Sequence, residues 1–156
     1  MFVWLSDRAT FSVPLLLLLS YRLLRQHQKN TYQSIIWLAA TLALSDGIGQ
    51  LLKSVFAQPR PCFSLQAQYA WLEPCGAALT GMPSNHALNF FAVAMFITVT
   101  TSWRKWHITL FTIAVLVAIS RVYLVKHFPS QVIVGAGLGI LVGWSMGYIK
   151  RKLSKN

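Results

Sequence analysis

Long uncharged apolar runs, separated by a few clustered charges, leave this chain little choice of solvent. Five stretches qualify, at about residues 9–25, 34–56, 86–102, 107–126 and 130–149. Each is close to the length at which a helix crosses about 30 Å of hydrocarbon. Together they occupy most of the 156 residues, so no soluble domain remains. Within lipid, a segment must satisfy its own backbone hydrogen bonds, which favours helices. Only 11% of the residues are charged, against about 25% in an ordinary soluble domain. Mean hydropathy is +0.52. The expected fold is therefore all-α: one integral-membrane helical bundle over 1–156, with about five transmembrane helices. The first run holds Pro14 and is the weakest. A signal peptide is the competing reading for it. The lack of a basic stretch before Leu15 and the poor cleavage context at Tyr21-Arg22 argue against that.

The formal net charge of +11 raises nucleic acid as a partner. The placement of the charges argues for membrane topology instead. Arg22, Arg25, Lys29, Arg104, Lys105, Lys150, Arg151, Lys152 and Lys155 all fall on one side of a five-span chain. Arg8, Lys53, Arg60, Arg121 and Lys126 fall on or near the other. The positive-inside rule makes the first side cytoplasmic. The expected protein is a multi-pass protein of the inner (plasma) membrane with its N-terminus outside and its C-terminus inside. The cytoplasmic charges orient it and touch anionic headgroups.

The sizeable non-membrane segment, 57–85, carries both cysteines, Cys62 and Cys75. An oxidising compartment permits a disulfide between them, and two unpaired thiols are the other reading. In the last span Gly135, Gly139, Gly143 and Gly147 recur every four residues. That spacing puts them on one helix face and lets another backbone come close. Packing within the chain and a homodimer through this face both fit. Asp46 lies inside the second span, where a charge is costly. Hydrogen bonding within the bundle is its simplest role.

Three segments put phosphate-handling residues just outside apolar spans: Lys53 with Arg60-Pro61, Pro83-Ser84-Asn85-His86, and Ser120-Arg121 with His127. Phosphoryl transfer needs fixed cations and N–H donors facing the peripheral oxygens. Lys53, Arg60 and Arg121 supply three cations on one side of the membrane. Arginine grips two oxygens where lysine acts as a point charge. A helix starting at Ser84 offers free N–H groups to an anion, although capping alone would also explain that serine. An imidazole can attack phosphorus, and a second can serve the leaving group. Each histidine alone is weak evidence; two beside three cations are not.

In order and spacing, Lys53-x6-Arg60-Pro61, Pro83-Ser84-Asn85-His86 and Ser120-Arg121-x5-His127 resemble the three signatures of the type 2 phosphatidic acid phosphatases. That family includes bacterial lipid phosphatases and, more distantly, vanadium haloperoxidases. The resemblance implies a helical bundle with its active site at the outer face. It implies removal of phosphate from a membrane lipid with no metal or other cofactor. It further implies that Lys53, Arg60, Ser84 and Arg121 hold the phosphate. His127 would attack, and His86 would handle the leaving-group proton. Six spans are common in the family, so this chain is expected to lack the first. Asn85 stands where the family usually has glycine, and its place in the segment makes it a further candidate for holding the phosphate.

Gln131 is the larger departure, because the family pattern has aspartate four residues after the attacking histidine. Glutamine can still accept a bond from the ring, but it brings no charge, and its amide can face either way. Three outcomes follow from the sequence: a slow enzyme, substitution by Asp46 or Glu73, or phospholipid binding without turnover. Substrates compatible with the resemblance are undecaprenyl pyrophosphate, lipid A, phosphatidylglycerophosphate and phosphatidic acid. The compact chain favours the first two.

Overall fold

The computed structural model describes residues 31–65, 79–102 and 104–154. Among these residues lie five helices: α1 (Thr31–Phe56), the short α2 (Pro61–Leu65), α3 (Asn85–Thr100), α4 (Arg104–Tyr123) and α5 (Pro129–Leu153). Four of the expected spans thus appear as α1, α3, α4 and α5, with ends shifted by a few residues. The expected first span, 9–25, lies outside the described residues, as do Glu73 and Cys75. Cys62 is disulfide-bonded, and Cys75 is the chain's other cysteine.

Helices α1, α4 and α5 are long and apolar enough to cross a membrane, and α3 is a shorter apolar helix. Large apolar side chains such as Ile36, Leu51, Ile108, Ile133 and Leu141 are exposed on the bundle's exterior. Water would penalise apolar surface on that scale; lipid does not. The chain is a multi-pass membrane protein.

Helix α3 is the centre of the bundle. It packs against α1, α4 and most extensively α5. Val93, Ala94, Phe96 and Ile97 of α3 form a core with Leu38 of α1 and Leu110 of α4. Towards α5 the helices come closer than ordinary side chains allow. A Cβ built on Gly135 would lie 2.6 Å from the Ser84 carbonyl. On Gly139 and Gly143 it would run into the carbonyls of Leu88 and Ala92. On Gly147 it would sit 2.8 Å from the Val99 Cβ. The glycine stripe is therefore a seat for α3 of the same chain. Of the two readings open in the sequence, packing within the chain is the one these contacts support.

At the end of the bundle where α5 finishes, Lys150 does not point outward. It is buried and donates from Nζ to the Ser34 Oγ at 2.7 Å. This ties the end of α5 to the start of α1.

Candidate active site

At the opposite end of the bundle, α1 and α4 finish and α3 and α5 begin. Both finishing helices turn through a left-handed residue. Ala57 (φ 45°) donates its N–H to the Lys53 carbonyl at 3.1 Å. Val125 (φ 54°) donates to Val122 at 2.9 Å, and Lys126 donates to Arg121 at 3.0 Å. The second pattern is a Schellman cap in which glycine is the usual left-handed residue. A β-branched valine there is strained. The same Arg121 carbonyl also receives the His127 N–H at 3.2 Å, which fixes His127 above the end of α4. Lys53 and Arg121 both sit in the last turns of their helices, where the dipole favours cations. Both are buried.

Arg60 is placed by a small piece of extended backbone. Pro59 and Thr80 form an antiparallel bridge. Around it, Arg60 N–H donates to the Leu79 carbonyl at 3.3 Å and Gly81 N–H to the Gln58 carbonyl at 2.8 Å. The Arg60 guanidinium is anchored by Nε donating to the Thr80 carbonyl at 3.2 Å.

Ser84 is the N-cap of α3, yet its hydroxyl makes no capping bond. It is fully buried, and its Oγ has no hydrogen-bond partner. Leaving a buried hydroxyl unbonded costs about 1–3 kcal/mol. An anion oxygen accepting from it would recover that cost, at a helix start that already offers N–H donors. The Ser84 backbone N–H donates to the Gln131 carbonyl at 3.0 Å, joining the first turns of α3 and α5. His86 lies in the same first turn of α3 and is buried.

Asn85 has a local explanation. Its Nδ2 donates to Asp46 Oδ1 at 2.8 Å. Asn89 reaches the same oxygen at 3.4 Å and accepts from Ser45 Oγ at 2.7 Å. Room for Asn85 comes from α1, where a Cβ on Gly49 would lie 2.5 Å from the Asn85 Oδ1. Asp46 is thus engaged within the bundle, as its position suggested. It supports the start of α3.

The group facing His127 is Gln131 itself. His127 Nδ1 lies 3.1 Å from Gln131 Oε1. Burial is the largest influence on this imidazole, followed by the charges of Arg60 and Arg121 and, more weakly, Lys53. They lower its pKa to about 3, against the upward pull of the Gln131 bond. The ring is therefore neutral near pH 7, with a lone pair available for attack. Lys53, Arg60 and Arg121 are thus all near enough for their charges to act on this ring.

Residues 34–155 match the PAP2 superfamily. The chain belongs to that superfamily. Among curated relatives it is 34% identical over 123 residues to dolichyldiphosphatase 1 of Homo sapiens, covering 66% of this chain and 48% of that protein. It is 34% identical over 76 residues to the lipid A 4'-phosphatase of Bacteroides thetaiotaomicron, covering 47% of this chain and 33% of the relative. With the lipid A 1-phosphatase of Porphyromonas gingivalis it shares 37% identity over 79 residues, covering 49% and 18% respectively. The chain thus spans about half the length, or less, of these relatives. The fold matches the crystal structure of a transmembrane PAP2 type phosphatidylglycerolphosphate phosphatase from Bacillus subtilis. The TM-score is 0.65 and the identity 22%, over 92% of this chain and 70% of that one.

Sequence reasoning missed Gln58, Gly81, Gly49 and Asn89 in this PAP2 site. Gly49 and Asn89 sit at helical spacing from Lys53 and Asn85, so a search along those faces would reach them. Gln58 and Gly81 carry no periodic signal; the extended bridge brings them together.

Proposed function

We propose that this chain is a membrane lipid phosphatase. It hydrolyses a lipid phosphate or pyrophosphate at the outer leaflet through a phosphohistidine, without a metal. The observation that carries the reading is the buried Ser84 hydroxyl, unbonded at the start of α3, in a site where three cations act on one neutral histidine. Lys53, Arg60, Ser84 and Arg121 hold the phosphoryl oxygens. His127 Nε2 attacks phosphorus as the bond to the lipid oxygen breaks, and protonated His86 gives that oxygen a proton. Water, losing a proton to His86, then breaks the N–P bond and releases phosphate. The cytoplasmic clustering of basic residues supports an outward-facing site and a cytoplasmic C-terminus. The likeness to a dolichyl diphosphatase and to lipid A phosphatases favours polyprenyl diphosphates and lipid A as substrates.

The test is phosphate release by purified protein in detergent with EDTA. The panel is undecaprenyl pyrophosphate, lipid A, phosphatidylglycerophosphate and phosphatidic acid. Turnover of one or more is expected; none between about pH 5 and 8 rejects the reading. A second reading, phospholipid binding without turnover, rests on the uncharged Gln131. It predicts lipid binding that survives His127→Ala and no phosphoenzyme in the native protein.

A further inference from the structure

The amide of Gln131 uses all of its hydrogen-bonding capacity. Its Oε1 faces His127 Nδ1 at 3.1 Å and accepts from the Phe128 N–H at 3.2 Å. Its Nε2 donates to the Pro59 carbonyl at 3.0 Å and to Gln58 Oε1 at 3.2 Å. Two of these partners are backbone groups whose roles cannot change. The Phe128 N–H only donates, and the Pro59 carbonyl only accepts. They fix which end of the amide is oxygen. Because that oxygen meets His127, the proton between them belongs to the histidine Nδ1. The ring's Nε2 is left with its lone pair.

The space is matched as well. Gln131 is completely buried. A Cβ on Gly81 would lie 2.5 Å from its Oε1 and 2.9 Å from its Cδ and Nε2. Aspartate would be one methylene too short to reach the same partners. Glutamate would reach them but would set a carboxylate oxygen against the Pro59 carbonyl, two acceptors face to face. Gln58 can turn its own amide to donate; Pro59 cannot.

We infer that Gln131 is a neutral positioning residue, held by Gln58, Pro59 and Phe128, that fixes His127 as its Nδ1–H tautomer, and that this site rejects the carboxylate expected there. The consequence for the reaction proposed above, on which the kinetic part rests, follows from charge. The phosphohistidine carries a cationic ring with no carboxylate behind it. That slows its formation and leaves the ring a better leaving group when water attacks. The neutral support thus shifts difficulty away from the second step.

Two measurements test this. The first needs no substrate: nitrogen-15 spectra of the native protein in detergent micelles near pH 7, with His127 assigned by its loss in His127→Ala. A single Nδ1–H tautomer is expected, and an Nε2–H tautomer or a mixture overturns the inference. The second is kcat against pH for Gln131→Glu and Gln131→Asp, with thermal midpoints to show that each is folded. Both are expected to fall at least about tenfold below the native protein near pH 8, the scale of a lost buried hydrogen bond. Gln131→Glu should recover relative to the native protein as pH falls, because a protonated carboxyl can donate to Pro59 as the amide does. A purely structural role would not produce that pH-dependent recovery. Activity of either variant at or above native near pH 8 overturns the inference. If the native protein releases no phosphate from any lipid, the functional reading fails while the tautomer still decides the positioning role.

Discussion

Replacing His127 with alanine is expected to lower kcat by about 10⁴ or more, because it removes the ring proposed to attack phosphorus. Binding of phosphate or substrate should survive, since Lys53, Arg60, Ser84 and Arg121 remain. A phosphoenzyme trapped by rapid acid-free quenching should appear with native protein and be absent from the variant. The substitution also changes how stability depends on pH. The folded imidazole has a pKa near 3, below the ordinary value of about 6.5. The unfolded chain therefore binds a proton at this ring between those values while the folded chain does not. The ring's contribution is intact above about pH 6.5 and is lost as pH falls towards 3. His127→Ala removes that dependence. Thermal midpoints at about pH 4.5 and 7 should therefore differ less in the variant than in the native protein. Equal dependence in both would show that folding leaves the ring's pKa unshifted.

The second large effect is expected at Gly143. A methyl group there meets the backbone of Ala92, so α3 and α5 must separate. Overpacking of this kind costs about 1–3 kcal/mol and sometimes more. Gly143→Ala should lower the thermal midpoint in detergent, and Gly143→Leu should prevent stable folding. The damage should also reach the chemistry. The Ser84 N–H to Gln131 carbonyl bond joins the first turns of the same two helices, and Gln131 supports His127. Gly137, with nothing within 4 Å of a built Cβ, is the control. Gly137→Ala should be neutral or stabilise by up to about 1 kcal/mol through helix propensity. Equal losses at Gly137 and Gly143 would place the stripe's value in backbone flexibility rather than close approach.

These cases separate what was legible in the residues from what was not. Apolar length revealed α1, α4 and α5, because crossing hydrocarbon is a one-dimensional requirement. The three segments proposed to handle phosphate stand out in the sequence because each is short and contiguous. The stripe of α5 was legible as a close-packing face. Its partner was not, since small residues every four positions serve a neighbour within the chain or a second copy equally well. The freedom of the Ser84 hydroxyl was not legible either, because a capping serine and an anion-binding serine occupy the same position. Gln131 was visible as a departure, but its orientation depends on Gln58 and Pro59, more than 70 residues earlier in the chain. Asn85 reads as a substitution of glycine until Gly49 and Asp46 are seen across the helix pair. Lys150 reads as one more cytoplasmic charge, and only the packing shows that it turns inward to Ser34.

Among the described residues, each side chain proposed to handle phosphate lies within about one helical turn of a helix end or in the links between ends. Lys53 and Arg121 close α1 and α4, Ser84 and His86 open α3, and Gln131 sits in the first turn of α5 behind His127. The proposed reaction would therefore occupy a thin slab at one surface, leaving the remaining length of each helix to its neighbours and the lipid. Membranes differ in hydrocarbon thickness by a few ångströms, and proteins adapt by small changes in span length or tilt. Here such changes can be made at the far end, around Ser34 and Lys150, without moving an atom of the chemistry. A bundle built this way can be refitted to a thicker or thinner bilayer while the end that carries the proposed site stays the same.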